Sequence, residues 1–177
     1  MKRIFNVLFL CTGNSARSIM AEGLLAKHGA GRFQAFSAGS HPTGTVNPLA
    51  LERLKKEGIP LPEVRSKNWD EFARAGAPLL DFVITVCDNA AGEICPVWPG
   101  QPITAHWGVP DPAAVTDSED KKRLAFAKAF AILERRILLF TSLRTEGLER
   151  LALEQKVREI GRTGGSRNDC RAAHGNL

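Results

Sequence analysis

Ile4-Phe5-Asn6-Val7-Leu8-Phe9-Leu10 runs directly into Cys11-Thr12-Gly13-Asn14-Ser15-Ala16-Arg17-Ser18, and the joint between the two decides how the chain is read. The first run is apolar on both faces, as a buried parallel strand is. From Ser15 to His28 the residues Ile19, Leu24 and Leu25 fall at roughly helical spacing, and Gly29 ends the run. A cysteine therefore sits where a strand ends, with an arginine six residues on, where a helix begins. The residues between them, Thr12, Gly13, Asn14, Ser15 and Ala16, are small and turn-prone. Their N–H groups can curl inward as an anion-binding nest capped by the helix N-terminus. Arg17 closes that ring and offers a two-pronged guanidinium to two oxygens of a tetrahedral anion. The same positive field favours the Cys11 thiolate, the nucleophilic form. Gly13 and Asn14 are residue types that tolerate left-handed backbone. The stretch also fits a plain strand-end cysteine followed by an ordinary loop, so the rest of the chain has to choose.

Outward from this joint the pattern alternates. Arg32–Ala38 reads as a second strand closed by Gly39, and Thr45–Gly58 as a second helix with Asn47-Pro48 near its start. A strand, a helix and a strand so connected imply parallel pairing and a right-handed crossover. A short helix is expected near Ser66–Gly76, around Trp69 and Phe72. Leu80–Cys87 is a third strand and, like the first, ends in a cysteine. Ligands of open α/β sheets bind beyond the carboxyl ends of the strands, so Cys11 and Cys87 belong to one edge. Pro102–His106 is a short fourth strand, and Asp117–Thr145 a long amphipathic helix that continues or restarts through Leu148–Ile160. From Gly161 the text turns polar and glycine-rich and reads as a disordered tail. The expected division is therefore a domain over residues 1–145, then a helical extension and tail over 146–177.

The 177 residues suffice for one domain with a proper core. The formal charge of +5 suits an anionic substrate, and the absence of basic blocks with interleaved aromatics argues against nucleic acid. Met1-Lys2-Arg3 and the apolar run up to Cys11 superficially resemble a signal segment. The run is short, is interrupted by Asn6, and lacks small residues before the cysteine. No stretch approaches the roughly 18 apolar residues of a membrane span. The expectation is a cytoplasmic monomer away from membranes, in which thiols stay reduced unless they work. Four cysteines, Cys11, Cys87, Cys95 and Cys170, then point to catalysis or metal binding before structural bridges. Cys170 with His174 has metal-ligand spacing, but two ligands alone do not make a site.

Three segments in order, CTGNSARS (11–18), VCDNAAGEIC (86–95) and HWGVPDPA (106–113), resemble the arsenate reductases built on the low-molecular-weight protein tyrosine phosphatase fold. The likeness runs from about Ile4 to about Phe140. It implies a four-stranded parallel sheet with helices on both faces. It also implies roles. Cys11 would attack arsenic to form a thiol–arsenate intermediate. Arg17 and the loop from Thr12 to Ala16 would hold the oxyanion. Ser18 would hydrogen-bond the thiolate, Asn14 would fix the loop, and Asp111 would protonate the leaving oxygen. Cys87 would then attack Cys11, and Cys95 would attack Cys87. The resulting Cys87–Cys95 disulfide would be reopened by an external thiol reductant, either thioredoxin or glutaredoxin with a low-molecular-weight thiol. No bound cofactor is implied, and phosphate or sulfate should occupy the arsenate position. The segment between Cys87 and Cys95 is rich in small residues and suits a hinge.

The sequence departs from that pattern in two places. Seven residues separate Cys87 from Cys95, one more than in thioredoxin-coupled members. Asn14, Glu22 and Ser37 match positions at which some members bind potassium, but the acidic ligand expected near Asn68 is an amide. A phosphotyrosine phosphatase of the same fold is the second reading. The third is a redox or oxyanion sensor without catalysis. Ala113-Ala114 after Asp111-Pro112, where an aromatic would suit phosphotyrosine, favours a small inorganic anion. His106 is expected to be structural.

Overall fold

Strand β1 (Phe5–Cys11) is the centre of the molecule, buried along its length except at Asn6. The fold is seen in a computed structural model that describes residues 2–59 and 64–163. To one side of β1 lies β2 (Phe33–Gly39); to the other lie β3 (Phe82–Thr85) and then β4 (Ile103–His106). All pairings are parallel, with the strand order β2-β1-β3-β4. Cys11 pairs with Gly39 in the register of β1 and β2, and Thr85 with His106 in that of β3 and β4. These residues therefore share one sheet edge.

Alternation along β1 sorts its side chains to two faces. Phe5, Val7, Phe9 and Cys11 join the larger core cluster, with α1 (Arg17–His28), α2 (Pro48–Lys56), α4 (Glu119–Ser142) and α5 (Arg150–Ile160) supplying the other side. Leu8 and Leu10 join a smaller cluster with Trp69, Phe72, Leu80, Val83 and Trp98. Both faces thus carry helix, unequally: the four longer α-helices and the buried Ala90 of a short one on one face, and on the other the 3-10 turn Trp69–Phe72 with the Trp98 loop. The small residues after Cys87 form the short helix α3 (Asp88–Gly92).

The helical extension expected after residue 145 is α5, and it is built into the same core. Leu153, Val157 and Ile160 are buried in the larger cluster, and the carbonyl of Val157 accepts the buried Trp107 indole N–H at 2.9 Å. A Cβ on Gly161 would lie 2.1 Å from the His106 carbonyl oxygen, so the end of α5 rests directly on the end of β4. Buried Arg136 of α4 donates to the carbonyls of Trp107 and Gly108 at 3.0 and 2.9 Å and to that of Thr163 at 3.1 Å. The segment leading to Asp111 is therefore pinned from two helices. No helix among the described residues is long and apolar enough to cross a membrane. Cys170 and His174 lie outside the described residues.

Candidate active site

The loop after β1 turns back on its own cysteine. Asn14 takes up left-handed backbone, with φ of 44°, and its N–H donates to Sγ of Cys11 at 3.2 Å. Of the two residues able to take it, Gly13 does not adopt a positive φ; it sits where a Cβ would come within 3.3 Å of the Thr43 methyl. Asparagine manages the conformation alone because its side chain is fully engaged. Asn14 Nδ2 donates to the hydroxyls of Ser18 and Ser37, at 2.8 and 3.0 Å, and Oδ1 accepts the Lys67 N–H at 2.9 Å. This ties the loop to α1, to β2 and to the segment before Trp69.

Ser18 Oγ lies 2.9 Å from Cys11 Sγ. Because that oxygen already accepts from Asn14, its own proton is free to be donated to the sulfur. Helix α1 begins with Ala16 at its N-cap, without a side-chain cap and without an acidic residue in its first turn. Those first N–H groups and the loop amides stand ready for an anion. Gly39, at the end of β2, is what lets the loop come so close. A Cβ there would lie 2.4 Å from the Thr12 carbonyl oxygen and 3.0 Å from the Asn14 backbone nitrogen.

Arg17 reaches across to the 109–111 segment. It donates to the Val109 carbonyl at 2.9 Å, and its other terminal nitrogen is 3.6 Å from the Asp111 carboxylate. Asp111 thus faces the anion loop from the far side, half exposed, with its other oxygen accepting the Ala113 N–H at 3.0 Å. This is a position from which a carboxyl can pass a proton to an oxygen held by Arg17.

Cys87 comes to the loop from the end of β3. Its sulfur accepts the Thr12 N–H at 3.3 Å and lies 3.6 Å from the Thr12 hydroxyl, and it also caps α3 by accepting the Ala90 N–H at 3.4 Å. Cys11 and Cys87 are both buried, and both thiols are free. Cys95 is elsewhere. Also free, it packs against the smaller core cluster on the opposite face, and burial first and Glu93 second push its thiol above the ordinary value. The site therefore unites Cys11, Ser18, Arg17, Asp111 and Cys87, and leaves Cys95 apart.

The trio Asn14, Glu22 and Ser37 is contiguous: Ser37 donates to the Glu22 carboxylate at 2.5 Å and accepts from Asn14. Burial raises the Glu22 pKa, opposed chiefly by the Lys67 ammonium. This arrangement does not fit a potassium ion. Asn14 turns its N–H toward the trio, its oxygen is held by the Lys67 amide, and the compensating charge is a lysine. Among the described residues there is no group of three or more His, Cys, Asp or Glu able to hold a metal.

Several contributors were not singled out in the sequence. Thr12 as the contact to Cys87, Gly39 as the close-packed neighbour of the loop, and Lys67 as the partner of Asn14 each depend on a long-range approach. For Gly39 alone a signal existed, a glycine at a strand end facing the loop.

The sequence model described as low molecular weight phosphotyrosine protein phosphatase matches residues 6–152. An arsenate reductase of Halalkalibacterium halodurans is 37% identical over 134 residues, which are 76% of this chain and 93% of that protein. The solved structure described as an arsenate reductase in the phosphate binding state superposes with a TM-score of 0.59 at 29% identity, covering 76% of this chain and 97% of the other. A thioredoxin-dependent arsenate reductase of Corynebacterium glutamicum gives a TM-score of 0.54 at 28% identity, over 73% of this chain and 58% of that one.

Proposed function

The chain belongs to the low molecular weight phosphotyrosine protein phosphatase family, and we propose that within it the reaction catalysed is the reduction of arsenate to arsenite. The observation that carries this reading is the second thiol: Cys87 Sγ lies 3.3 Å from the amide of Thr12, the residue after the nucleophile. A hydrolase of this design needs one cysteine, because water resolves its covalent intermediate. A second thiol beside the first lets electrons leave the protein instead.

In the first step the Cys11 thiolate attacks arsenic and an oxygen departs as water, protonated by Asp111. The loop amides and Arg17 stabilise the charge on the remaining oxygens. The Cys87 thiolate then attacks Cys11 Sγ. The sulfur–arsenic bond breaks with its electron pair going to arsenic, which leaves as arsenite, and a Cys11–Cys87 disulfide remains. Cys95 next attacks Cys87, returning Cys11 as a thiolate and leaving a Cys87–Cys95 disulfide. An external dithiol of the thioredoxin type, or glutaredoxin with a low-molecular-weight thiol, supplies the two electrons that reopen it. The thioredoxin dependence of the Corynebacterium glutamicum relative supports the first donor.

The test is arsenate-dependent NADPH consumption by the full chain with thioredoxin and thioredoxin reductase, with glutaredoxin and glutathione run in parallel. Turnover should vanish in Cys11→Ser, Cys87→Ser and Cys95→Ser, and fall in Asp111→Asn. Unimpaired turnover in Cys87→Ser would overturn the relay and leave an external thiol to resolve Cys11 directly.

A further inference from the structure

The Cys87–Cys95 step asks for a movement, and a side-chain chain at the start of α3 stands in its way, besides the Thr12 hydroxyl donating to Glu93 at its end across 3.4 Å. Helix α3 has five residues, of which only Ala90 is buried. So short a helix does not hold itself together, because the ordering of its first turn is not repaid by enough hydrogen bonds. It depends on what grips its start. One grip is the Cys87 sulfur on the Ala90 N–H. The other is Asp88, whose Oδ1 lies 2.8 Å from Nε2 of His106, while Nδ1 of the same ring lies 2.7 Å from the Thr85 hydroxyl. Thr85 and His106 are the last registered pair of β3 and β4. The helix is thereby bolted to the rim of the sheet.

The donors and acceptors close consistently. With Nε2–H donating to the carboxylate, Nδ1 accepts the Thr85 O–H; with the ring protonated, Nδ1–H donates to the Thr85 oxygen instead. The connection survives either protonation state. Its packing is close as well: a Cβ on Gly108 would lie 2.7 Å from Asp88 Oδ1 and 2.8 Å from His106 Nε2. It is also reversible. The Asp88 side chain is 91% exposed and that of His106 40%, so water readily replaces the contact.

While the bolt is closed, Cys87 points at Thr12 and Cys95 packs on the other face of the sheet. A disulfide between them needs their Cα atoms within about 4.4–6.8 Å, and its formation removes the sulfur that caps α3. We infer that the Thr85–His106–Asp88 chain is a latch that holds α3 in the dithiol form, and that its opening accompanies transfer of the disulfide from Cys11–Cys87 to Cys87–Cys95. His106 is a positioning residue in this role, acting through Asp88 on Cys87. The inference rests on the relay proposed above.

The test compares Asp88→Ala, which removes the acceptor, with Asp88→Asn, which keeps an oxygen for the Nε2–H. Both changes are on an exposed side chain. In the reduced full chain, hydrogen exchange at the amides of residues 90–93 should quicken several-fold in Asp88→Ala and stay near wild type in Asp88→Asn. In a dithiothreitol redox buffer, the Cys87–Cys95 equilibrium should move several-fold toward the disulfide in Asp88→Ala only, and Thr85→Val should move it the same way. Unchanged exchange and an unchanged equilibrium in Asp88→Ala overturn the latch and leave the relay standing. Quickened exchange with no Cys87–Cys95 disulfide in any variant supports the grip on α3 and overturns the relay.

Discussion

The amide of Thr12 donates to Sγ of Cys87 across 3.3 Å, so the peptide bond that leaves Cys11 already touches a second thiol. The two sulfurs arrive there by independent routes. Cys11 is placed by the register of β1 with β2, and Cys87 by the end of β3, whose neighbour Val86 donates its N–H to the Leu10 carbonyl. Parallel strands bring both ends to one edge, beside one loop. Cys95, by contrast, packs against the cluster on the other face of the sheet.

Replacing Cys87 by serine separates reduction from anion chemistry. Cys11, Arg17 and Asp111 remain, so the variant should still cleave p-nitrophenyl phosphate at a rate within a few-fold of the parent. Its thioredoxin-coupled arsenate turnover should fall by roughly a hundredfold or more, since an interaction needed for the electron transfer is gone. Parallel loss of both activities would mean that Cys87 serves the loop rather than the relay.

Gly39→Ala inserts a methyl group where the Thr12 carbonyl oxygen lies 2.4 Å away. Backbone has to shift to admit it, at a cost of about 1–3 kcal/mol. The loop is the softer partner, because β2 is fixed by its register to β1. A lower urea midpoint together with weakened phosphate binding by calorimetry is the expected pair of results. A stability loss without any change in anion affinity would show that the strand, not the loop, gives way.

Cys95 is pushed up by burial and, second, by Glu93, so it is a poor nucleophile at neutral pH in the dithiol form. Its alkylation rate, followed by mass spectrometry of the Cys95 peptide, should still be climbing above the ordinary thiol range. Glu93→Gln should move that profile to lower pH by only part of the displacement, because the larger cause is untouched. A profile already level at neutral pH would contradict the burial of this thiol.

Glu22 makes stability depend on pH in an unusual direction for a carboxyl. Burial lifts its folded pKa above the unfolded value near about 4.3. Such a group contributes stability that is fully present below the unfolded pKa and is lost as pH rises through the folded one. Glu22→Gln removes the titration but keeps a hydrogen-bond partner for Ser37. The stability of the variant relative to the parent, read from urea midpoints, should therefore increase as pH is raised through this window. A difference that falls with pH would show that attraction to Lys67 outweighs burial.

The strand-to-loop joint was legible because sequence neighbours carry it: an apolar run, a cysteine, turn residues and an arginine at the head of a helix. The parallel sheet followed from alternation, and Asp111 beside Arg17 is what the family resemblance of the HWGVPDPA segment implied. What the sequence could not give are contacts whose two halves have no local reason to meet. The Lys67 amide on Asn14, the His106 ring on Asp88 and the Val157 carbonyl on the Trp107 indole are all of this kind. The choice between Gly13 and Asn14 stayed open for a related reason. Either Gly13 or Asn14 could supply the left-handed turn, and only the partners gathered around Asn14 decide which does.

The close rest of Gly161 on the His106 carbonyl also fixes where α5 ends relative to the sheet. Thr163, held by Arg136, marks the carboxyl edge of the sheet, the edge that bears Cys11 and Cys87, whereas Arg3 sits at the other end of β1 beside Asp81. Groups attached at Arg3 and at Thr163 thus have unequal addresses: the first lie behind the sheet, the second at the rim that bears the two thiols. Labels for following electron delivery therefore belong beside Arg3, where they leave that rim clear.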